Sequence, residues 1–184
     1  MIAVPPHLTG DGVTLRAPRA DDAAALAAAF VADRDLGRLI GVDADPDEAQ
    51  LRERLGRAGQ TAREDRAASL VIADPRTDAC WGSLVAHSFD TESRRCEVGF
   101  YLIPEARRQG RGTRAVAAAL RWLFADLDLL RVEMTTTPDN EAIHRLAARL
   151  GFVVEGTMRR RNIERGRRVD IVMFGLLRED WDGD

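Results

Sequence analysis

The sequence predicts a mixed α/β fold, in which one mostly antiparallel sheet of about seven strands packs against four helices. Three observations lead to this fold class. Short runs rich in Val, Leu and Phe recur along the chain and are bounded by turn residues. Three of these runs follow one another through short connections, which favours an antiparallel meander. Later strands alternate with helical patterns, and the predicted order is βααβββαβαββ.

The first half of the chain supplies a strand, two helices and the meander. "GVTLRAP" (12–18) alternates and then meets a proline, so it predicts a short strand followed by a helix that begins near Asp21 or Asp22. "DEAQLRERLGRAGQTARED" (47–65) predicts a second, largely solvated helix with a thin apolar stripe. The meander strands are "ASLVIAD" (68–74), "CWGSLVAHSF" (80–89) and "CEVGFYLI" (96–103).

The second half begins with an amphipathic helix. From Gly112 onwards, apolar residues recur at helical spacing: Val116, Leu120, Leu123 and Phe124. "LRVEMTTT" (130–137) predicts a strand, and "PDNEAIHRLAARLGF" (138–152) a helix that Asp139 or Asn140 can cap and that Gly151 can end. The last two strands are "FVVEGTMRRRN" (152–162) and "RVDIVMFGLL" (168–177), joined by a turn at "ERG".

Composition limits the function classes. A chain of 184 residues with 45% hydrophobic residues predicts a single domain spanning 1–184. All 27 basic side chains are Arg, and 30 acids leave a net charge of −3, which argues against general nucleic-acid binding. The two cysteines and few histidines form no ligand cluster, so we expect no metal. The apolar run 23–32 is short and flanked by aspartates, so we expect no membrane segment and a cytoplasmic location.

The stretch "RRQGRGT" (107–113) precedes the amphipathic helix and predicts an anion site. A helix N-terminus presents unpaired N–H groups, and Arg107, Arg108 and Arg111 can add charge-assisted bonds. The alternative is that Gly110 and Gly112 only form a turn while the arginines are solvated. A dinucleotide-binding fingerprint is a further alternative, because "GRGTRA" fits its spacing and Glu133 its acidic position. The charged "EARRQ" between the strand and the glycines argues against it.

The chain resembles the GCN5-related N-acetyltransferase (GNAT) family. Within that family it is similar to the branch that acetylates the N-termini of ribosomal proteins. Arg107, Gly110 and Gly112 match the family's Arg/Gln-x-x-Gly-x-Gly/Ala motif. The resemblance extends through four segments that span nearly the whole chain: "LTGDGVTLRAPRADDA", "CEVGFYLIPEARRQGRGT", "DNEAIHRLAARLGFVVEG" and "GRRVDIVMFGLLREDW".

The resemblance implies that acetyl-CoA, or another acyl-CoA, binds as cosubstrate in a cleft between two splayed parallel strands. Backbone N–H groups along one loop would bind its pyrophosphate: Arg108, Gln109, Gly110, Arg111, Gly112 and Thr113. The strand before the loop would offer an N–H near Tyr101 or Leu102 to the thioester oxygen. Asn140 matches the family's asparagine that contacts the pantetheine arm, and it is also suited to cap a helix.

Glu97 is the candidate general base, because many relatives carry a glutamate at this position that acts through water. The alternative is an exposed carboxylate paired with Arg94 or Arg95. Tyr101 lies on the strand that the resemblance implies for the acyl group, with simple packing as its alternative role.

One position departs from the family pattern. Relatives that acetylate N-termini often have a serine three residues after the matched asparagine, placed to protonate the leaving thiolate, and here that residue is Ile143. His144 is adjacent but turned about 100° away, so we expect a surface histidine. A thiol has a pKa of about 8.5, so the CoA thiolate can leave without a general acid to protonate it.

The sequence therefore predicts an N-acetyltransferase that acts on a primary amine, with a protein N-terminal α-amine as favoured acceptor. The alternatives are a small amine or antibiotic as acceptor, and a non-catalytic acyl-CoA-binding module. A homodimer is plausible for this branch.

An arginine cluster flanks the last turn: Arg159, Arg160, Arg161, Arg165, Arg167 and Arg168. Strand alternation would put Arg159 and Arg161 on one face and Arg160 on the other. The cluster either protects an edge strand from association or attracts an anionic partner, such as an acidic acceptor, the CoA 3′-phosphate or ribosomal RNA.

Overall fold

One open sheet organises the chain. The computed structural model describes residues 2, 7–39, 45–64, 67–164 and 166–183. Within them, eight strands lie in the order β1-β2-β3-β4-β5-β6-β8-β7. The strands are β1 (His7–Gly10), β2 (Val13–Arg16), β3 (Ala67–Ala73), β4 (Cys80–Asp90), β5 (Arg95–Leu102), β6 (Arg131–Thr136), β7 (Val153–Glu164) and β8 (Arg167–Leu177). The predicted fold class, with one mostly antiparallel sheet, is confirmed.

Helices cover both faces of this sheet. They are α1 (Asp22–Ala32), α2 (Leu36–Leu39), α3 (Glu48–Gly56), α4 (Ala58–Arg63), α5 (Arg111–Ala125) and α6 (Glu141–Arg149), with short 3₁₀ turns at Pro104–Ala106 and Arg178–Asp180. The larger core joins α5 and α6 to the sheet, through residues such as Val116, Leu120 and Phe174. A second core joins α1, α2 and α3 through Leu26 and Leu51.

The direction of pairing changes at one place. Every neighbouring pair of strands is antiparallel except β5 and β6, which are parallel. That parallel pair is short, because its ladder runs only from Arg95–Arg131 to Glu97–Glu133. Both strands continue after their pairing has ended, so an opening lies between them.

A buried ion pair fixes α1 to the sheet. Arg16 at the end of β2 donates from Nη1 and Nη2 to the two carboxylate oxygens of Asp22, at 2.9 and 2.8 Å. Bidentate geometry of this kind holds both groups in one orientation. It sets the start of the helix whose Phe30 packs edge-on against Tyr101 of β5, with ring centroids 5.5 Å apart.

The structure adds elements that the sequence pattern did not predict. Strand β1 pairs with β2 across a two-residue turn at Asp11 and Gly12, and the Asp-Gly dipeptide is a hairpin signal. The helix expected over 47–65 is two helices that meet at Arg57. Gly56 and Gly59 flank that break, and each weakens a helix by about 1 kcal/mol relative to alanine. The expected end of α6 is confirmed, because Leu150 caps the helix and Gly151, the next residue, has φ 84°.

Candidate active site

A cleft of about 1000 Å³ lies where β5 and β6 separate. The structure brings all but one of the predicted site residues to its lining: Glu97, Tyr101, Leu102, Arg107, Arg108, Gly110, Arg111, Gly112, Thr113 and Asn140. Gln109 is the exception; it is exposed, and its carbonyl accepts a bond from Arg114 Nη2 at 2.9 Å. A cleft of this size is at the upper end of ordinary ligand pockets.

The start of α5 forms one end of the cleft. Gly110 precedes the helix with φ 71°, a conformation that glycine adopts without a steric penalty, and no side chain caps the helix. The N–H of Arg114 bonds to the Gly110 carbonyl. Those of Arg111, Gly112 and Thr113 come earlier in the first turn, where an α-helix has no internal acceptor. This end of the cleft therefore offers backbone donors and a partial positive charge to an anion.

Gly112 is required by close packing. A Cβ at this position would lie 2.9 Å from Cε2 of Phe100 on β5. The helix therefore begins directly against the strand that lines the cleft. The two glycines of the motif have different physical roles, one in backbone conformation and one in helix-to-strand contact.

The three arginines of the loop also differ. Arg107 donates from Nε to the Leu102 carbonyl at 3.0 Å and from Nη1 to Asp33 at 2.5 Å, so its guanidinium ties the loop to the end of α1. Arg111 stacks over Trp81, with Cζ 3.7 Å from the ring centroid. Arg108 is exposed and has φ 62°, an uncommon conformation for a residue with a Cβ. Arg108 and Arg111 remain candidates to contact a phosphate through their side chains, whereas Arg107 positions the loop.

Asp33 is held as a carboxylate by this arrangement. Its partial burial opposes the charge, but the bond from Arg107 and backbone N–H groups outweigh that burial, and the pKa of Asp33 lies below its usual value. The Arg107–Asp33 pair is therefore an ion pair at neutral pH.

Glu97 lies on the last rung of the β5–β6 ladder and faces the cleft. Its Oε1 accepts a hydrogen bond of 2.5 Å from the Thr135 hydroxyl of β6. Arg95 instead bonds Glu133 and Asp90, and Arg94 bonds Asp128. The side chain is thus held by a neutral donor at the mouth of the opening, a position suited to accept a proton.

Strand alternation distinguishes the two candidate N–H donors. Ile103 N–H donates to the Trp81 carbonyl of β4 at 2.9 Å. Because successive backbone groups point to opposite edges of a strand, the N–H of Tyr101 also points to β4, whereas that of Leu102 points to the opening. The phenol of Tyr101 packs against Phe30, and its burial raises its pKa well above the usual range. Tyr101 is therefore a neutral wall residue, and Leu102 is the one with a donor towards the cleft.

Asn140 caps α6 and lines the cleft at the same time. Its Oδ1 accepts from the Ile143 N–H at 3.4 Å, and its Nδ2 donates to the Thr136 hydroxyl at 2.9 Å. Ile143 lines the cleft one turn later. His144 is half-buried, contrary to expectation, because its ring packs edge-on against Phe174 with centroids 5.1 Å apart.

Comparison with known proteins identifies the family. The model for the acetyltransferase (GNAT) domain matches residues 13–153, more than half of the chain. The chain belongs to the GNAT family. It is 27% identical over 171 residues to the uncharacterized N-acetyltransferase p20 of Bacillus licheniformis, which covers 93% of this chain and 96% of that protein. A putative ribosomal N-acetyltransferase of Bacillus subtilis (strain 168), YdaF, is 29% identical over 56% of each chain.

A solved structure shares the fold. Mycobacterium smegmatis RimJ in complex with CoA-disulfide superposes with a TM-score of 0.84 at 23% identity, over 94% of this chain and 86% of that one. The expected resemblance is confirmed, and this GNAT protein is an N-acetyltransferase.

The arginine cluster of this GNAT protein lies outside the cleft. Its described members are exposed, and Arg165 lies outside the described residues. The regular alternation on which the expected faces depended is interrupted here, because the β7–β8 register shifts between Met158 and Asn162 and Arg160 has φ 55°. Arg160 N–H donates to Asp170 at 2.7 Å, and Arg168 donates to the Arg160 carbonyl at 3.1 Å. A bulge re-aims side chains in this way.

Sequence reasoning missed four cleft residues. His87 of β4 pairs directly with Glu97, Thr135 binds it, and Asn162 and Glu164 of β7 line the same cleft. Their proximity depends on strand register and on the path of the β7–β8 hairpin. The only signal in the sequence was their polar character within strand-forming runs. Searched over the described residues, the chain contains no cluster of three or more metal-ligating side chains and no helix that could cross a membrane.

Proposed function

We propose that this protein transfers an acetyl group from acetyl-CoA directly to a primary amine, with the N-terminal α-amine of a protein as the favoured acceptor. One observation carries the proposal: a single cleft extends from the uncapped start of α5, along β5, to Glu97. An anion-binding end and a carboxylate end are what an anionic acyl donor and a basic amine require.

The residues at the α5 end would hold the cosubstrate. The backbone N–H groups of Arg111, Gly112 and Thr113 would receive the pyrophosphate, helped by the Arg108 and Arg111 guanidinium groups. Asn140 would face the pantetheine arm. Acetyl-CoA, when bound, supplies an activated acetyl thioester. The Leu102 N–H would donate to the thioester oxygen and stabilise the charge that develops there.

Glu97 would prepare the acceptor. An amine reaches the site largely as ammonium, because a free α-amino group has a pKa of about 7.7–8.0, and it must lose a proton to attack. The Thr135 hydroxyl fixes the orientation of the Glu97 carboxylate. His87, which pairs with Glu97 across β4 and β5, would place an imidazole beside the Glu97 carboxylate.

The cysteines support direct attack over an acyl-cysteine intermediate. Burial raises the pKa of Cys80 to about 11 and that of Cys96 to about 12. Protonated thiols are poor nucleophiles. Neither cysteine is among the residues that line the cleft.

The relatives support the choice of substrates. The name of YdaF, a putative ribosomal N-acetyltransferase, favours a protein acceptor. The RimJ complex with CoA-disulfide favours a coenzyme A thioester as donor. We extend both properties to this chain as part of the proposal.

Calorimetric titration with acetyl-CoA, and with NADH in parallel, tests the donor. Micromolar binding of acetyl-CoA with no heat from NADH supports the proposal, whereas no acetyl-CoA binding contradicts it. CoA release is then measured with N-terminal peptides and with small amines including aminoglycosides. Turnover with peptides supports the favoured acceptor. Turnover with small amines alone would replace it, and binding without turnover on any amine would favour the non-catalytic module.

A further inference from the structure

The ion pair between Arg107 and Asp33 joins the loop before α5 to the end of α1. Arg107 directly follows the 3₁₀ turn of that loop, and Asp33 directly follows the last residue of α1. Nη1 of Arg107 lies 2.5 Å from Oδ2 of Asp33. The Arg107 side chain is 34% exposed and that of Asp33 only 20%, so solvent screens the pair incompletely. A partly desolvated charge contact therefore holds the two segments together.

Each partner of this pair is also bonded to backbone at the edge of the cleft. Arg107 Nε donates to the Leu102 carbonyl at 3.0 Å. The N–H and the carbonyl of one strand residue point to the same edge, so this bond meets β5 at the residue whose N–H faces the opening. On the α1 side, Oδ1 of Asp33 accepts from the Asp35 N–H at 3.0 Å, and the Asp33 carbonyl accepts from the Leu36 N–H at 3.1 Å. Leu36 lines the cleft.

A carboxylate at this place opposes the binding of an anion. In the proposed function the loop after Arg107 receives a pyrophosphate, and a negative charge beside the loop repels that group. The same carboxylate occupies the Arg107 guanidinium, which would otherwise be available to a phosphate. Asp33 therefore disfavours the donor electrostatically, and any benefit to binding comes from the geometry that it imposes on the loop.

We propose that Asp33 is a positioning residue for the acyl-CoA site, which holds, through Arg107, the loop before α5 and the Leu102 edge of β5 in the conformation that binds the donor. Removing the Asp33 charge then weakens acetyl-CoA binding, although repulsion alone would predict tighter binding. The requirement for Asp33 depends on the arginine at position 107. The family motif also accepts glutamine there, and a glutamine amide can donate to the Leu102 carbonyl without a carboxylate beside it. This inference rests on the proposed function.

Calorimetric titration with acetyl-CoA tests the sign of this effect. We expect Asp33→Asn, which keeps the shape of the side chain, to raise the Kd about tenfold, because it leaves the Arg107 charge without its partner. Glu105→Gln is the matched control. It removes one negative charge from an exposed position on the adjoining 3₁₀ turn, outside the cleft lining, and its Kd should stay within about twofold of the wild type or fall. Thermal denaturation provides the second readout, since a purely structural role would lower Tm and leave the Kd of the folded protein unchanged.

A double-variant cycle supplies the decisive comparison. In the Arg107→Gln background, Asp33→Asn should cost no affinity or restore some, so the two effects are not additive. Asp33→Ser gives the same test if the asparagine variant folds poorly. Equal or tighter acetyl-CoA binding by Asp33→Asn in the otherwise native chain, or a loss of similar size in the Arg107→Gln background, would overturn the inference. Acetyl-CoA binding by the wild type would meanwhile leave the proposed function intact, whereas a wild type that does not bind acetyl-CoA would overturn both.

Discussion

The two glutamates on the last paired rung of β5 and β6 have opposite surroundings, one facing the cleft and one held by arginines. Glu97 and Glu133 sit side by side on the last rung of the parallel ladder. Glu133 is 9% exposed and bonds Arg131 Nε at 2.8 Å and Arg95 Nη1 at 3.1 Å. Arg131 also bonds Glu155 on β7. Glu97, one strand away, receives the Thr135 hydroxyl and faces the cleft.

The two residues are of the same type and lie on the same rung, so their hydrogen-bond partners must distinguish them. A carboxylate held by arginines has a structural role, whereas one held by a neutral hydroxyl is a candidate base. Two guanidinium groups satisfy Glu133 and link three strands, so its carboxylate has little capacity left for an incoming amine. A hydroxyl donor fixes Glu97 without supplying a positive charge. The comparison also explains why Glu133 does not serve a dinucleotide ribose, because both of its oxygens are held by arginines.

Removing the carboxylate of Glu97 is the strongest test of this contrast. We expect Glu97→Gln to lower kcat by about 10²–10⁴-fold, because general base catalysis contributes on that scale. Acetyl-CoA affinity should stay within about twofold, since the loop that would bind the pyrophosphate is untouched. Steady-state CoA release and calorimetry measure the two quantities. A loss of less than about fivefold would contradict the role of Glu97.

The corresponding substitution at Glu133 should lower the stability of the fold. Glu133→Gln removes the carboxylate that Arg95 and Arg131 share, and we expect it to lower the free energy of unfolding by about 2 kcal/mol. For a chain of this length that corresponds to a Tm about 4–8 °C lower, measured by thermal denaturation. The kcat of the folded fraction should change little. A large fall in kcat without a change in Tm would contradict the structural role of Glu133.

The start of α5 sharpens the comparison on the splayed half. The family motif accepts alanine at the second glycine, but here Phe100 lies 2.9 Å from where the Cβ would be. Overpacking of this kind costs about 1–3 kcal/mol, so we expect Gly112→Ala to weaken acetyl-CoA binding about tenfold. Gly56→Ala, where a Cβ meets no atom within 4 Å, is the control. Adding Phe100→Leu to the Gly112→Ala variant should restore part of the acetyl-CoA affinity. If the double variant binds acetyl-CoA as weakly as Gly112→Ala alone, the steric explanation is excluded.

Local sequence pattern was sufficient to predict most of the fold and the α5 end of the cleft. Residues 107–113 and the helix after them lie in one continuous segment, so glycine spacing and helical periodicity predicted their arrangement. The rest of the cleft lining comes from distant segments. Thr135 is 38 residues from Glu97, and Glu164 reaches the cleft only through the path of a hairpin. Strand register and the path of the hairpin determine these contacts, and neither can be predicted from a short stretch of sequence.

Failed expectations have local physical causes. Simple alternation does not apply at Arg159 and Arg161, because a bulge interrupts the β7–β8 register at that point. His144 is packed because α6 lies close to β8, where Phe174 meets its ring. The periodicity of a sequence predicts which side of a strand or helix a residue faces only where that element is regular. Whether the residue is buried there also depends on which elements pack against that side.

The smallest effect is expected at Ile143, on the α6 wall of the splayed half. Ile143→Ser introduces the hydroxyl that many relatives have, yet we expect kcat to change by less than about threefold, because a thiol of pKa near 8.5 leaves as a thiolate without an acid. Ile143→Val controls for the lost methyl groups. A serine variant more than about tenfold faster, with its gain confined to high pH, would show that leaving-group protonation limits the rate. The cleft would then need a proton donor as well as the Glu97 carboxylate.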